Sequence, residues 1–299
     1  MSKTTTAVSK PMSEEVAAQL RDSYPSEPSA LRIQLPRLGM YSQDVTEETK
    51  NPKTGKKEIN IISEAGTFFI ERQTEELDEE GKKKWEKTEL GTSIEAIILY
   101  QRKQLRHYDG ANEVYTSSPI YDTEDEIIPL WRNKSEVTRG LPADLKKMPE
   151  FQGVTAAGKP TSKLEDNRIL YVKYEGEVYQ MTLRGSSMFS FFAYSRKTVP
   201  NQVVTSFGSE PKEKGDISWN QMVFESVRPL DGTEAEEVLT HVQDIQKAIS
   251  VEKASYAAAN ASKEVGDKEL DKTAADLSAA GAAADKKGKA LPPGKKKGF

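Results

Sequence analysis

No cysteine occurs among the 299 residues, which excludes disulfides, Cys-ligated zinc, iron–sulfur clusters and thiol catalysis. Histidine is nearly as scarce. His107 and His241 are the only imidazoles, and nothing near either completes a paired-histidine metal motif or a Ser-His-Asp triad. Gly185-Ser186-Ser187 follows a strand-like run but lacks the lysine and spacing of a phosphate-binding loop, and no Gly-x-Ser-x-Gly elbow is present. No cofactor or metal is therefore expected. Long apolar runs are missing as well: no stretch approaches the roughly 18 residues that span a bilayer, and the first residues carry no apolar leader core. The expectation is a soluble, cytoplasmic chain with no membrane partner, in the host cytoplasm should a phage encode it. A dominant charge is also absent. Forty-three basic against 47 acidic side chains give a net charge of −4, so the total charge does not point to a polyanionic partner.

What the chain does contain is unevenly distributed. Residues 1–28 are rich in Ser, Thr, Pro and Lys, and residues 251–299 run to Ala, Gly, Lys and Asp. Neither segment holds enough large apolar side chains to offset the entropy of ordering, so both are predicted to be disordered. Residues 29–250 remain as one β-rich domain. The final KKGKALPPGKKKGF carries six lysines and no acid; it reads either as a non-specific electrostatic contact or as a solvated end.

Within the domain, LRIQLPRLG (31–39) alternates around Pro36 like an edge strand. TEETKNPKTGKKE reads as a polar turn, and INIISEAGTFFIERQ as two strands around a glycine, a hairpin or a bulged strand. The charged EELDEEGKKKWEK (75–87) is expected to be an exposed loop. SIEAIILYQRKQL (93–105) is the strongest apolar run of the N-terminal half and favours a strand. Five prolines between Pro119 and Pro160 predict a mostly irregular stretch over 109–165. RILYVKYEGEVYQMTL (168–183) is a hairpin about Glu175-Gly176 with bulk on both faces, and Met188 to Tyr194 makes one or two helical turns. Strands return at 202–207 and 217–227. Thr233 and Glu236 form a capping box ahead of Ala235, Val238, Leu239, Val242, Ile245 and Ile249 at helical spacing, which predicts one amphipathic helix packed on the sheet.

Aromatic side chains interleave with cations on these strands. Tyr100, Arg102, Lys103, Arg106 and Tyr108 form one group. Tyr171, Lys173, Tyr174, Tyr179 and Arg184 form a second; Tyr194, Arg196, Lys197 and Trp219 form a third. Rings for base stacking with cations along the phosphates are what sequence-tolerant binding of single-stranded nucleic acid requires, each stacked base contributing ~1–3 kcal/mol. Each ring has a second reading as core, and Arg102, Lys103 and Arg106 have one as a charged edge that discourages strand association. The acidic run Asp122, Glu124, Asp125 and Glu126 reads as a solvated loop or as a magnesium site for phosphoryl chemistry.

The order RILYVKYEGEVYQMTLRGSSMFSFFAYSRKT, VVTSFGSE and KGDISWNQMVFESV, preceded by IEAIILYQRKQLRHYD and the loop YTSSPIYDTED, resembles a phage-encoded family of single-stranded-DNA-binding-like proteins over roughly residues 91–230. The resemblance implies an OB-like β-barrel in a mainly β (α+β) domain with long loops, single-stranded DNA as partner, and a role in phage-type DNA replication or recombination beside other proteins of those processes. It carries over to Ser186, Ser187, Phe189 and Tyr194 and to the strand aromatics. Many relatives hold a cysteine cluster in the middle loop; LPADLKKMPEFQGVTAAGKPTS has none, so no metal-stabilised loop is implied. The leading expectation is thus a non-enzymatic single-stranded-DNA-binding protein. A viral or phage structural protein and a magnesium-dependent nuclease are the competing readings.

Overall fold

The computed structural model describes residues 12–23, 35–50, 57–77, 79, 81–155 and 157–251. The chain opens with helix α1 (Glu14–Ser23), then β1 (Arg37–Met40), β2 (Val45–Lys50), β3 (Lys57–Ser63), β4 (Phe68–Leu77), β5 (Lys83–Gly91) and β6 (Ile94–Asp109). After these come β7 (Val114–Tyr121), β8 (Ile128–Arg132), β9 (Ser135–Gly140), a short α2 (Pro142–Leu145), β10 (Gln152–Val154) and β11 (Pro160–Ser162). The last part is β12 (Glu165–Tyr174), β13 (Glu177–Leu183), α3 (Gly185–Ser195), β14 (Val203–Lys214), β15 (Ile217–Pro229) and α4, residues 232–251. Of the two compact units, Met1–Ile249 and Ser250–Phe299, only the first is described at length. The expected disorder and the basic run of the tail lie beyond the described residues.

The fold is mainly β, with one large mixed sheet in the order β5-β4-β1-β13-β12-β6-β7-β8-β9; β14 joins β6 and β15 joins β14. All pairs are antiparallel except β1 against β13. Among the described residues no pairing joins the outer strands β5 and β9, so the closed OB-like barrel expected from the sequence is replaced by an open sheet.

The central strand is β6, whose residues from Ala96 to Lys103 are all buried. The β-branched and aromatic run IEAIILY suits a strand covered on both faces. Its register against β12 shifts between Tyr171 and Val172, which face Tyr100 and Ile98, so Leu99 is the extra residue of a bulge. Ala96, Ile98, Leu170, Val172, Met181 and Phe207 build the core on one face beneath Phe191 and Tyr194 of α3. Ile97, Leu99, Tyr100 and Tyr171 build the other beneath Leu20 of α1 and Val238, Val242 and Ile245 of α4. The helical stripe read from the sequence therefore packs on the sheet. Its capping box sits two residues earlier than expected: Asp231 Oδ1 accepts from the Thr233 and Glu234 amides at 3.0 and 2.9 Å, and Glu234 Oε2 accepts from the Asp231 amide at 3.0 Å.

Other expectations are corrected in detail. Part of the N-terminal stretch folds as α1, because Leu20 is fully buried and the Asn201 and Gln202 side-chain amides donate to the Leu20 and Ala17 carbonyls at 2.6 Å. β1 is an interior strand between β4 and β13. β3 pairs with β2, while β4 pairs with β1 and β5, so INIIS and FFIER do not form a hairpin together. The charged 75–87 stretch lies mostly within the β4–β5 hairpin, with Lys83 and Lys84 paired to Glu75 and Glu76 at 3.2 and 3.1 Å.

Close to half of the 109–165 region is strand, in β7 to β11. Three of its five prolines fall where the missing amide is tolerated: Pro142 and Pro149 at helix starts, and Pro119 in a bulge between β6 and β7. There the Ser118 hydroxyl accepts from the Leu105 amide at 2.9 Å and replaces a ladder bond. The 168–183 hairpin is as expected, with Glu175 and Gly176 both at positive φ (47° and 83°) in a two-residue turn. α3 and the β14–β15 pair are longer than predicted.

Tyr121 is fully buried, and its hydroxyl has no hydrogen-bond partner among the described residues. Burial, and then the charges of Glu124 and Asp166, push its ionisation far above the ordinary tyrosine range. Tyr194 moves the same way through burial, against the hydrogen bond from Thr205. Folded values raised in this sense contribute stability that is complete below the unfolded value of ~10 and is lost as pH climbs beyond it. Removing the unsatisfied hydroxyl, Tyr121→Phe, is expected to raise stability by about 1 kcal/mol at pH 7 and to reduce the loss above pH ~10. Urea denaturation at both pH values measures this, and a variant clearly weaker at neutral pH would contradict it.

Candidate functional site

The first predicted group divides along β6. Tyr100 and Arg102 sit on the helix-covered face, 6% and 0% exposed. The Arg102 Nη1 donates to the Tyr171 hydroxyl at 2.6 Å, and its guanidinium lies 5.8 Å from that ring. Lys103, on the opposite face, is buried and paired with Glu124 at 3.0 Å. These three residues are core, and β6 is an interior strand rather than a charged edge. Arg106 and Tyr108 lie farther along, on the same face as Arg102 by strand alternation, and remain half-buried and 49% exposed.

The second and third groups lose most of their rings to packing. Tyr171, Tyr179 and Tyr194 are buried; the Tyr194 and Thr205 hydroxyls share a hydrogen bond of 2.6 Å. Tyr174 packs against the core edge-on to Tyr179, with ring centroids 6.3 Å apart. Lys173 pairs with Glu237 of α4. Trp219 is half-buried, its Nε1 donating to Ser186 Oγ at 3.0 Å, and Ser187 Oγ accepts from the Met222 amide at 3.0 Å. Both serines therefore fasten α3 to β15. Arg184, Phe189, Arg196 and Lys197 stay exposed, with Phe189, Arg196 and Lys197 at α3, over the opposite face from Arg106 and Tyr108.

Tyr115, missed in the sequence, completes the surface group. β7 pairs Tyr115 directly opposite Tyr108; the ring centroids lie 4.5 Å apart with the planes tilted by 35°, and Tyr115 is 47% exposed. Arg106 lies over the Tyr115 ring at 4.0 Å. Arg106 and Tyr108 thus both pack on Tyr115, the cation over its ring and the second ring tilted against it. Burial, and then the neighbouring charge of Arg184 together with the more weakly acting Arg37, lower the proton affinity of Arg106. Arg184 and Arg37 thus both lie within electrostatic reach of Arg106. The signal for Tyr115 was the Asp-Gly turn between two runs carrying tyrosine: Asp109 accepts from the Ala111 amide at 3.1 Å and the Asn112 side chain at 2.8 Å. The Asn112 bond and then the amide hold its carboxyl below the usual range, as a turn aspartate should be.

A second cation and ring cluster, also missed, occupies β1, β4 and β5. Tyr41 stacks on Phe69 at 4.5 Å, Lys87 lies 4.8 Å over Phe69, and Arg37 lies 4.8 Å over Trp85, which is 47% exposed. Arg37 and Lys87 also pair with Glu71 at 3.1 and 3.6 Å, so this cluster carries less free positive charge than the first.

A cleft of about 360 Å³ opens beside Tyr108, with His107, Arg132 and Lys163 on its walls. Arg132 is oriented by its Nε donating to Thr116 Oγ1 at 2.9 Å. Elsewhere, Glu124 of the acidic loop is engaged by Lys103, and among the described residues no group of three or more His, Cys, Asp and Glu side chains is placed to hold a metal. No described helix is long and apolar enough to cross a membrane. Comparison with known proteins found no family model that matches the sequence, and no matching curated protein or solved structure.

Gly39 is what lets the second cluster assemble. A Cβ at this position would lie 2.5 Å from Phe69 Cζ, and the ring is held between Tyr41 and Lys87 and has little room to yield. Gly39→Val is expected to cost about 1–3 kcal/mol, read by denaturation, while Gly91→Ala, where no atom lies within 4 Å of the new methyl, reports only the penalty of a positive φ. An unchanged midpoint for Gly39→Val would show that the ring is free to move.

Proposed function

We propose that the chain is a non-enzymatic single-stranded-DNA-binding protein that holds the strand on the sheet face carrying Arg106, Tyr108 and Tyr115, in phage-type replication or recombination. The observation that carries this reading is the cross-strand pair of half-exposed tyrosines with a guanidinium over one of them. Beyond the contact each makes with its cross-strand partner, both rings keep about half of their surface exposed, and they offer the sequence-tolerant surface that stacking bases require. Arg184 adds positive potential close by, which favours phosphates despite the overall charge of −4. Because the open sheet presents a strand face without enclosing it, strand binding of the OB type requires no closed barrel here.

A structural role is the second reading, favoured by a different observation. Ile59, Ile61 and Ile62 of β3 are 68%, 58% and 59% exposed on a two-stranded hairpin, a pattern prone to association between copies. Sedimentation across a protein concentration series without nucleic acid reads this directly.

Anisotropy of labelled oligo-dT, with duplex DNA of equal length as control, tests the leading proposal. Binding is expected to prefer the single strand and to weaken as salt rises. Tyr108→Ala with Tyr115→Ala should weaken it by about tenfold or more, given ~1–3 kcal/mol per stacked base, whereas Phe189→Ala, on the far side of the sheet, should leave it unchanged. No binding at low salt, or equal losses from both sets, would reject the proposal.

A further inference from the structure

We infer that the ring cluster on β1, β4 and β5 is the far end of the same single-strand track, so that the nucleic acid crosses the sheet from Tyr108 and Tyr115, past Arg184, to Trp85. This assignment rests on the strand-binding proposal above and extends it to a second set of residues.

The strand register places both clusters on one face. Residues directly opposite each other in neighbouring strands project to the same side of a sheet. One such row runs from β5 to β6 through Lys87, Glu71, Arg37, Gln180, Tyr171 and Tyr100. Tyr171 and Tyr100 belong to the core beneath α1 and α4, so Arg37 and Lys87 lie on that face as well. Trp85 shares it, two residues before Lys87 in an unshifted register and opposite Gln73. Toward the other end of the face, β6 keeps its register against β12 from Tyr100 to Arg106, and Tyr108 follows by alternation.

The ground between the clusters is polar and open. Thr182 and Arg184 follow Gln180 at alternate positions, Arg184 one residue past β13 in a backbone that is still extended (φ −136°, ψ 158°). Both are exposed. Arg184 forms no ion pair with a described residue, and its charge lowers the proton affinity of Arg106, as that of Arg37 does more weakly. Direct charge effects fall off over about 10 Å, and Arg37 lies 4.8 Å over the Trp85 ring. Trp85 is therefore close enough to Arg106 for one short strand to touch both ends.

The two ends differ in charge. Glu71 pairs with both Arg37 and Lys87, at 3.1 and 3.6 Å, so phosphates are held chiefly at Arg106 and Arg184. The far end contributes stacking, on a Trp85 ring that is 47% exposed. Base faces are open to such rings in a single strand and shut away in a duplex. Rings at either end with cations between them fit a strand of at least about four nucleotides, the lower limit for sheet surfaces of this kind.

Titration of the full chain with labelled oligo-dT, followed by anisotropy and by tryptophan emission, tests the track. Trp85→Ala is expected to weaken binding about tenfold, one stacked base, while Trp85→Phe, which keeps a ring, retains most of the affinity. The part of the emission that Trp85→Phe removes should be quenched in the parent chain at saturation. Arg184→Gln should weaken binding and make the log–log salt slope shallower by about 0.7, whereas Lys197→Gln, on the opposite face, should change neither. Glu71→Gln frees Arg37 and Lys87 to meet the strand and is expected to tighten binding and steepen that slope, a gain that damage to the fold cannot produce. Parental affinity in both Trp85→Ala and Arg184→Gln, Trp85 emission unmoved at saturation, or no gain from Glu71→Gln would overturn the track. If oligo-dT then still binds through Tyr108 and Tyr115, the strand-binding proposal stands without it; if oligo-dT does not bind, both fall.

Discussion

The constraint on which the rest depends is that β6 must be buried on both faces while pairing along both edges. β12 runs along one edge. The other edge is divided between β14 near its start and β7 near its end. A strand in that position cannot alternate core with solvent, and the sequence IEAIILY does not. The bulge at Leu99 follows from the same demand: Leu99 and Tyr100 both contribute to the cluster beneath α1 and α4, while Ile98 contributes to the one beneath α3. The helices are then positioned by the apolar surface that β6 and β12 offer them.

That arrangement also decides where rings remain available. α1 and α4 cover the sheet at Ile97, Leu99, Tyr100 and Tyr171. Farther along the same face, their cover ends at Arg106, Tyr108 and Tyr115. One alternating row of β6 side chains thus passes from core to surface within a few residues. Tyr100 and Tyr108 differ in exposure, 6% against 49%, because of what lies over each of them. The small turn closed by Asp109 places Tyr115 against Tyr108 and at the same time forms part of the cleft.

Elements whose signal is local were legible from the sequence. The hairpin about Glu175-Gly176, strand β6 and the stripe of α4 follow from periodicity and turn chemistry, and the structure keeps them with adjusted ends. Elements whose signal is a competition were not. The charged β4–β5 hairpin looked like a loop because its strands gain from cross-strand ion pairs, which exist only once the register is set. The prolines of 109–165 looked like interruptions because bulges and helix starts, where proline is tolerated, cannot be told from breaks along a single chain. α1 holds few apolar residues, and its order depends on Leu20 entering a core made by distant segments.

The sequence by itself determined the chemical inventory: no thiol, two imidazoles, many tyrosines beside cations, and runs that must be strands. It also determined which classes of chemistry the chain cannot perform through cysteine. Tertiary structure alone decided which of those tyrosines and cations are spent on packing and which are left at the surface. Residues as similar as Tyr100 and Tyr108, or Arg102 and Arg106, share one strand and one face. Burial depends on the helices arriving from the two ends of the chain, and a strand's own period carries no record of where that cover stops.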